Sequence, residues 1–297
     1  AHFATPETKA VNLRQDVDRR SRMTHHEERL ADLDAMGLDM QLVMCPPFQC
    51  YYTVPLDLAI EAAAMINDGL AAYVRGCPNR FLALGTVPMP DGDAAAKELT
   101  RCMARGFKGV QILTNVAGRE LSDPAFAPFW AKAEALGAVV LLHPNGFTEG
   151  QRLTRHYFNN VVGNPFETTL ALHYLIFDGV LERHPNLKIV AVHGGGYLAA
   201  YSGRIDHAWG ARADAHGTLP HPPTSYLKRI YVDTVVFTPH QLRALVEVFG
   251  PDHVVLGTDY PYDMAEYEPI EHVVSSGLDA DTVGKICGGT ARRLLGI

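Results

Sequence analysis

The chain has 297 residues, 47% of them apolar and 20% charged, and a formal charge of −7 at pH 7. It holds no basic stripe that could neutralise phosphates, so nucleic acid is not an expected partner. No apolar run approaches the roughly 18 residues that a membrane-spanning helix needs.

Cys45, Cys50, Cys77, Cys102 and Cys287 are scattered and never form C-x-x-C, which fits neither a disulfide framework nor a thiolate zinc site. No cationic and apolar leader opens at Ala1, so a reducing, cytoplasmic location is expected. Short β-branched runs alternate with helix-period segments, the pattern of repeated β–α units around a parallel sheet. Residues 1–3 read as the end of a strand lying mostly upstream. A helix over 27–36 and a strand over 40–45 follow, then helix 56–75, strand 81–87, helix 92–105, strand 108–113, helix 124–136 and strand 138–143. Helix 165–182, strands 188–193 and 229–234, helix 239–249, strand 253–259 and helix 280–295 complete the chain, with a Pro-rich loop at 217–224. Counting the first, eight strands predict a single (β/α)8 TIM barrel domain over 1–297, distorted and with a small insertion near the N-terminus. No G-x-G-x-x-G follows any strand, which removes the main dinucleotide-binding fingerprint.

Active sites of such barrels form at the C-terminal ends of the strands. Four chemistry-bearing residues stand there: His2 after the first strand, His143 in V-V-L-L-H-P, His193 in I-V-A-V-H-G-G-G and Asp259 in V-V-L-G-T-D-Y-P. Singly, each has an ordinary explanation as a hydrogen-bonded core histidine, a turn aspartate or a residue beside close-packed glycines. Together at one rim they point to a shared divalent-metal site. Imidazole nitrogen and carboxylate oxygen suit zinc, with manganese as the alternative. The remaining histidines supply a contrast. His25, His26, His184, His216, His221 and His240 lie in charged or polar stretches and are expected to be solvated, while His173 and His207 are expected to pack within helices.

Five stretches carry a family resemblance: R-L-A-D-L-D-A-M-G at 29–37, N-R-F-L-A-L-G-T-V-P at 79–88, G-F-K-G-V-Q-I at 106–112, H-G-G-G-Y-L-A-A-Y-S-G-R-I-D-H at 193–207 and L-G-T-D-Y-P-Y at 256–262. Together they resemble the branch of the amidohydrolase superfamily typified by aminocarboxymuconate-semialdehyde decarboxylases, with resorcylate and carboxyvanillate decarboxylases as relatives. The opening A-H-F-A-T-P-E-T at 1–8 resembles the segment that follows that family's first metal ligand. The resemblance implies a metal held by His2, His143 and Asp259, with a further first-strand ligand upstream of Ala1. It implies that His193 exchanges protons with a metal-bound water, and that Arg204 reaches a neighbour's substrate carboxylate across a homodimer or higher homo-oligomer.

Tyr157 and Tyr262 would flank a planar substrate, and Arg14, Arg19, Arg20 and Arg22 compete for the basic substrate-binding position of the first long loop. The implied activity is non-oxidative decarboxylation of a small unsaturated or aromatic carboxylic acid. It would run through metal-bound water or direct chelation, with His193 or Asp259 transferring the proton. The same ligands also serve a hydrolase of a lactone, ester or amide, and a third reading is a barrel that binds without turnover.

Overall fold

A computed structural model describes residues 5–297. The first expected strand, and His2 with it, lie outside the described residues. The other seven runs all form strands. They give β1 (Gln41–Val43), β2 (Phe81–Ala83), β3 (Gly85–Thr86), β4 (Gly109–Ile112), β7 (Val139–Leu142), β8 (Lys188–Ala191), β9 (Ile230–Asp233) and β10 (Val254–Val255), with a hairpin of β5 (Asn115–Val116) and β6 (Arg119–Glu120) between β4 and β7. β1 pairs parallel with β2. The order β10-β9-β8-β7-β4-β3 forms one sheet in which every pairing is parallel. Only Leu84 separates β2 from β3, so the two are halves of one stave. The described residues thus supply seven parallel staves of a (β/α)8 TIM barrel.

These strands read as continuous apolar runs because both faces are covered. In β7, Val139 and Leu141 point into a cluster with Leu84, Val190, Val192 and Val255 inside the barrel, joined by Leu294 from the C-terminal helix. Val140 and Leu142 point the other way, into the larger cluster under the helices. Burying each such side chain stabilises by roughly 1.5–3 kcal/mol, and the register that alternates them also lifts His143 and His193 to the same rim.

Helices Leu56–Gly76, Gly92–Ala104, Ala127–Ala135 and Pro239–Phe249 stand where the apolar periodicity predicts. The Asp91 carboxylate caps the second of these by accepting the Ala94 N–H at 2.8 Å. The expected helix 165–182 divides into Asn164–Phe177 and Val180–Arg183, because Gly179 between them takes φ +73°. Helix 280–295 divides likewise into Ala280–Gly284 and Thr290–Leu295 across a wide turn.

Two departures are larger. The stretch read as a long first loop is helical over Pro6–Asp18 and Arg20–Thr24, and neither helix buries a residue, so no apolar stripe announced them. Leu198–Ala211 is a helix that the predicted elements omit. His26, expected to be solvated, instead packs tilted against Tyr73 at 4.2 Å and bonds the Tyr73 carbonyl through Nε2 at 2.9 Å. His184 is also tied down, its Nδ1 3.0 Å from Glu134 Oε2. Among the described residues no helix is long and apolar enough to cross a membrane.

Candidate functional site

Four strands end in side chains that converge on one rim. His143 follows β7, His193 follows β8, Asp233 closes β9, and Asp259 follows β10. One ligand atom from each of His143, His193 and Asp259 lies within 4.8 Å of the others. They border a cavity of about 720 Å³ that Gln111, Asp233, Tyr260 and Tyr262 also line.

The local backbone aims these groups. His143 Nδ1 is 2.7 Å from the Pro144 carbonyl oxygen, which fixes a proton on that nitrogen and leaves Nε2 free as a donor pair for a cation. His193 and Asp259 both stand in left-handed backbone, with φ of +56° and +53°, a conformation that non-glycine residues adopt only when the surroundings hold them there. His193 Nδ1 is buried and has no hydrogen-bond partner among the described residues. An unsatisfied imidazole nitrogen beside a second free one and a carboxylate is a donor set that fits a divalent ion.

The electrostatics agree. Burial, and then the neighbouring His193 ring, hold His143 down to about 3. Burial holds His193 down to about 4. Both rings are therefore neutral at pH 7 and have lone pairs to offer. Asp259 is pushed up to about 7, first by burial and then by the carboxylates of Asp233 and Asp263, while Arg19 pulls the other way. A carboxylate crowded by two others is a group that a cation would relieve.

The remaining predicted residues are placed as follows. Tyr262 lines the cavity with its hydroxyl buried and unpartnered, and the Arg19 guanidinium stacks over its ring at 4.6 Å. Of the four competing arginines, Arg19 is the one the fold brings to this rim. Tyr157 lies in left-handed backbone with its hydroxyl 3.4 Å from Asp263 Oδ1. Arg204 is exposed on Leu198–Ala211 and does not line its own chain's cavity.

Sequence reasoning missed Asp233. It was absorbed into the strand 229–234, although the strand-end rule that picked out Asp259 applies equally to I-Y-V-D. Its carboxylate is buried and accepts the Gly194 N–H at 2.8 Å and the Val235 N–H at 3.2 Å.

Comparison with known proteins agrees with this geometry. The chain is 36% identical over 273 residues to the 2-amino-3-carboxymuconate-6-semialdehyde decarboxylase of Dictyostelium discoideum, covering 91% of this chain and 76% of that one. The crystal structure of 5-carboxyvanillate decarboxylase from Sphingomonas paucimobilis superposes with a TM-score of 0.83 at 28% identity, over 91% of this chain and 82% of that one. A second 5-carboxyvanillate decarboxylase, from Novosphingobium aromaticivorans, superposes with a TM-score of 0.86 at 26% identity, over 92% and 80%. It is complexed with manganese and 4-hydroxy-3-methoxy-5-nitrobenzoic acid. The family model for amidohydrolases matches residues 1–297 in full, and the chain belongs to that family.

Proposed function

We propose that this chain is a carbon–carbon lyase, a metal-dependent, non-oxidative decarboxylase of a small unsaturated or aromatic carboxylic acid. The observation that carries the reading is the convergence of His143, His193 and Asp259 within 4.8 Å at the strand-end rim, beside a cavity that Gln111, Tyr260 and Tyr262 also line. The decarboxylases that it resembles act on acids of this kind. His143 and Asp259 would hold the ion, joined by His2. Zinc is the ion proposed from the donor set, and manganese, present in the Novosphingobium structure, is the one to compare it with. A divalent ion bound there would supply Lewis acidity, fixing and polarising the oxygen atoms of the acid.

The chain's own groups divide the remaining work. Removing CO2 requires the carbon that bears it to gain a proton, so a proton carrier must stand over the ring. His193, neutral and with Nδ1 unpartnered, would take a proton from solvent water and deliver it to that carbon as the carbon–carbon bond to CO2 breaks. In the direct-chelation route Asp259, at the same rim, would deliver the proton instead. Tyr262, with Arg19 behind its ring, and Tyr157 bound the flat face of the substrate.

Tyr197, Tyr201 and Arg204 are all exposed at the start of the helical segment Leu198–Ala211, Tyr201 to 73% at a kink where its φ is −127°. We assign this face to a homodimer in which Arg204 reaches the other copy's substrate carboxylate. The five free thiols fit a reducing compartment such as the cytoplasm.

The test is a CO2-detecting screen of hydroxybenzoates, vanillate-like acids and muconate semialdehydes with zinc- and manganese-loaded protein. CO2 release that a chelator abolishes is the expected result. Hydrolysis of lactones or esters with no CO2 from any acid would replace this reading by the hydrolase. For the interface, a mixture of His193→Ala and Arg204→Ala chains should recover activity that neither shows alone.

A further inference from the structure

We infer that Asp233 is the positioning residue of His193, a buried hydrogen-bond acceptor that holds the H-G-G-G turn in its left-handed form; the inference rests on the role given to His193 above.

His193, Gly194, Gly195 and Gly196 take φ values of +56°, +62°, +74° and +68° in succession. Two N–H groups of this turn are satisfied locally, Gly195 donating to the Val192 carbonyl at 3.2 Å and Gly196 to the His193 carbonyl at 3.0 Å. The Gly194 N–H points the other way, into the protein. Asp233 Oδ1 accepts it at 2.8 Å, together with the Val235 N–H at 3.2 Å. The outer end of the turn is fixed separately. The Tyr197 N–H donates to Thr169 Oγ1 at 2.8 Å, and a Cβ on Gly196 would come within 2.2 Å of the Pro165 carbonyl oxygen. The turn is thus pressed against Asn164–Phe177 and cannot move outwards, which leaves Asp233 to set its inner end, where the His193 ring begins.

Asp233 is not part of the group of His143, His193 and Asp259 whose ligand atoms converge. Its Oδ1 is occupied by backbone donors. Positioning therefore describes it better than metal ligation. Without the carboxylate the buried Gly194 N–H loses its partner and the turn its inner tie, so the His193 ring would shift at the rim.

The experiment compares Asp233→Ala, Asp233→Asn, His193→Ala and the Asp233→Ala/His193→Ala double variant, using metal-loaded protein, CO2 release and a chelator-competition measurement of zinc affinity. Asp233→Ala should lower kcat by roughly 10²-fold, the scale of a lost general acid–base group, with KM and zinc affinity little changed. Asp233→Asn keeps an acceptor oxygen for the turn and should recover most of that loss. In the His193→Ala background, Asp233→Ala should cost nothing further, because groups that act as a unit are not additive. If Asp233→Ala does not fold, Asp233→Leu, close in volume and without an acceptor oxygen, carries the same comparison in the two backgrounds.

Turnover of Asp233→Ala close to wild type, additive losses in the double variant, or an Asp233→Asn as inactive as Asp233→Ala would each overturn the inference. Loss of zinc binding in Asp233→Ala would overturn it too, by making the residue part of the metal shell. An unimpaired His193→Ala would remove the reading of His193 itself and is distinguishable, since it appears in the single variant.

Discussion

His193 and Asp259 both occupy left-handed backbone at the same rim, yet the two are held by opposite means. The His193 turn is tied from inside the barrel by a buried carboxylate on β9. The Asp259 turn is tied from outside. The Tyr260 hydroxyl, one residue on, donates to Asp32 Oδ2 at 2.6 Å, and Asp32 pairs with Arg22 at 2.9 Å. The buried Arg29 guanidinium faces the Tyr260 ring at 5.3 Å from the next turn of the same helix, His26–Ala35. Loss of the buried carboxylate leaves the Gly194 and Val235 N–H groups without their partner, and an unsatisfied buried donor is costly. At the periphery water screens and substitutes, so the same kind of loss is graded.

The comparison can be broken or sharpened in order of expected effect. The largest concerns the inner turn. Gly196→Ala would place a Cβ 2.2 Å from the Pro165 carbonyl and 2.5 Å from Thr169 Oγ1 at a φ of +68°. We expect a loss of about 2–4 kcal/mol in denaturant unfolding, and a stability within 0.5 kcal/mol of wild type, the usual range of neutral substitutions, would mean that the turn is not clamped.

Next, Tyr260→Phe removes the outer tie. Second-layer groups that orient a metal ligand typically contribute 10–100-fold in affinity, and we expect the lower end, read by chelator competition; unchanged affinity would show that Asp259 needs no brace.

The pH dependence separates the two turns further. Asp259 must lose its proton to accept a cation, whereas His143 and His193 are already neutral above about 3 and 4. Zinc affinity should therefore fall about tenfold per pH unit below about 7 and level off above it. A slope of two or three protons would show that the histidines titrate as well.

In the metal-free protein the signs oppose. The raised Asp259 contributes stability present below 3.8 and lost as pH rises through about 7. The depressed histidines contribute stability present above 6.5 and lost as pH falls towards about 4 and 3. The smallest effect belongs to Arg22→Ala, since the Arg22 and Asp32 side chains are 42% and 28% exposed. It should cost no more than about 1 kcal/mol and less in high salt.

The barrel was legible because its staves are buried on both faces: V-V-L-L and K-I-V-A leave little choice of structure. His143, His193 and Asp259 were legible for a related reason, the histidines being the first polar residue after such a run and Asp259 the first ionisable one. The strand-end carboxylate of Asp233 gave the same signal one stave away, but it sits within the ladder and its partners are backbone N–H groups, which leave no mark in a sequence. The helices over Pro6–Asp18 and Arg20–Thr24 were illegible because their stability comes from capping and local hydrogen bonds, as in Thr5 accepting the Thr8 N–H at 3.2 Å, and not from a buried stripe. Which arginine of that stretch meets the rim is a matter of tertiary contact alone, settled by Arg19 lying over Tyr262.

Those N-terminal helices carry a consequence of their own. They bury nothing, yet Arg19 between them lies over Tyr262, and Arg22 within the second pairs with Asp32, which holds the Tyr260 hydroxyl beside Asp259. Segments that open easily are also where trypsin cuts first, and Lys9, Arg14 and Arg20 offer it sites. A brief digestion should thus nick this stretch while the barrel still melts as a unit, separating the durability of the scaffold from the grip on the ion within a single molecule.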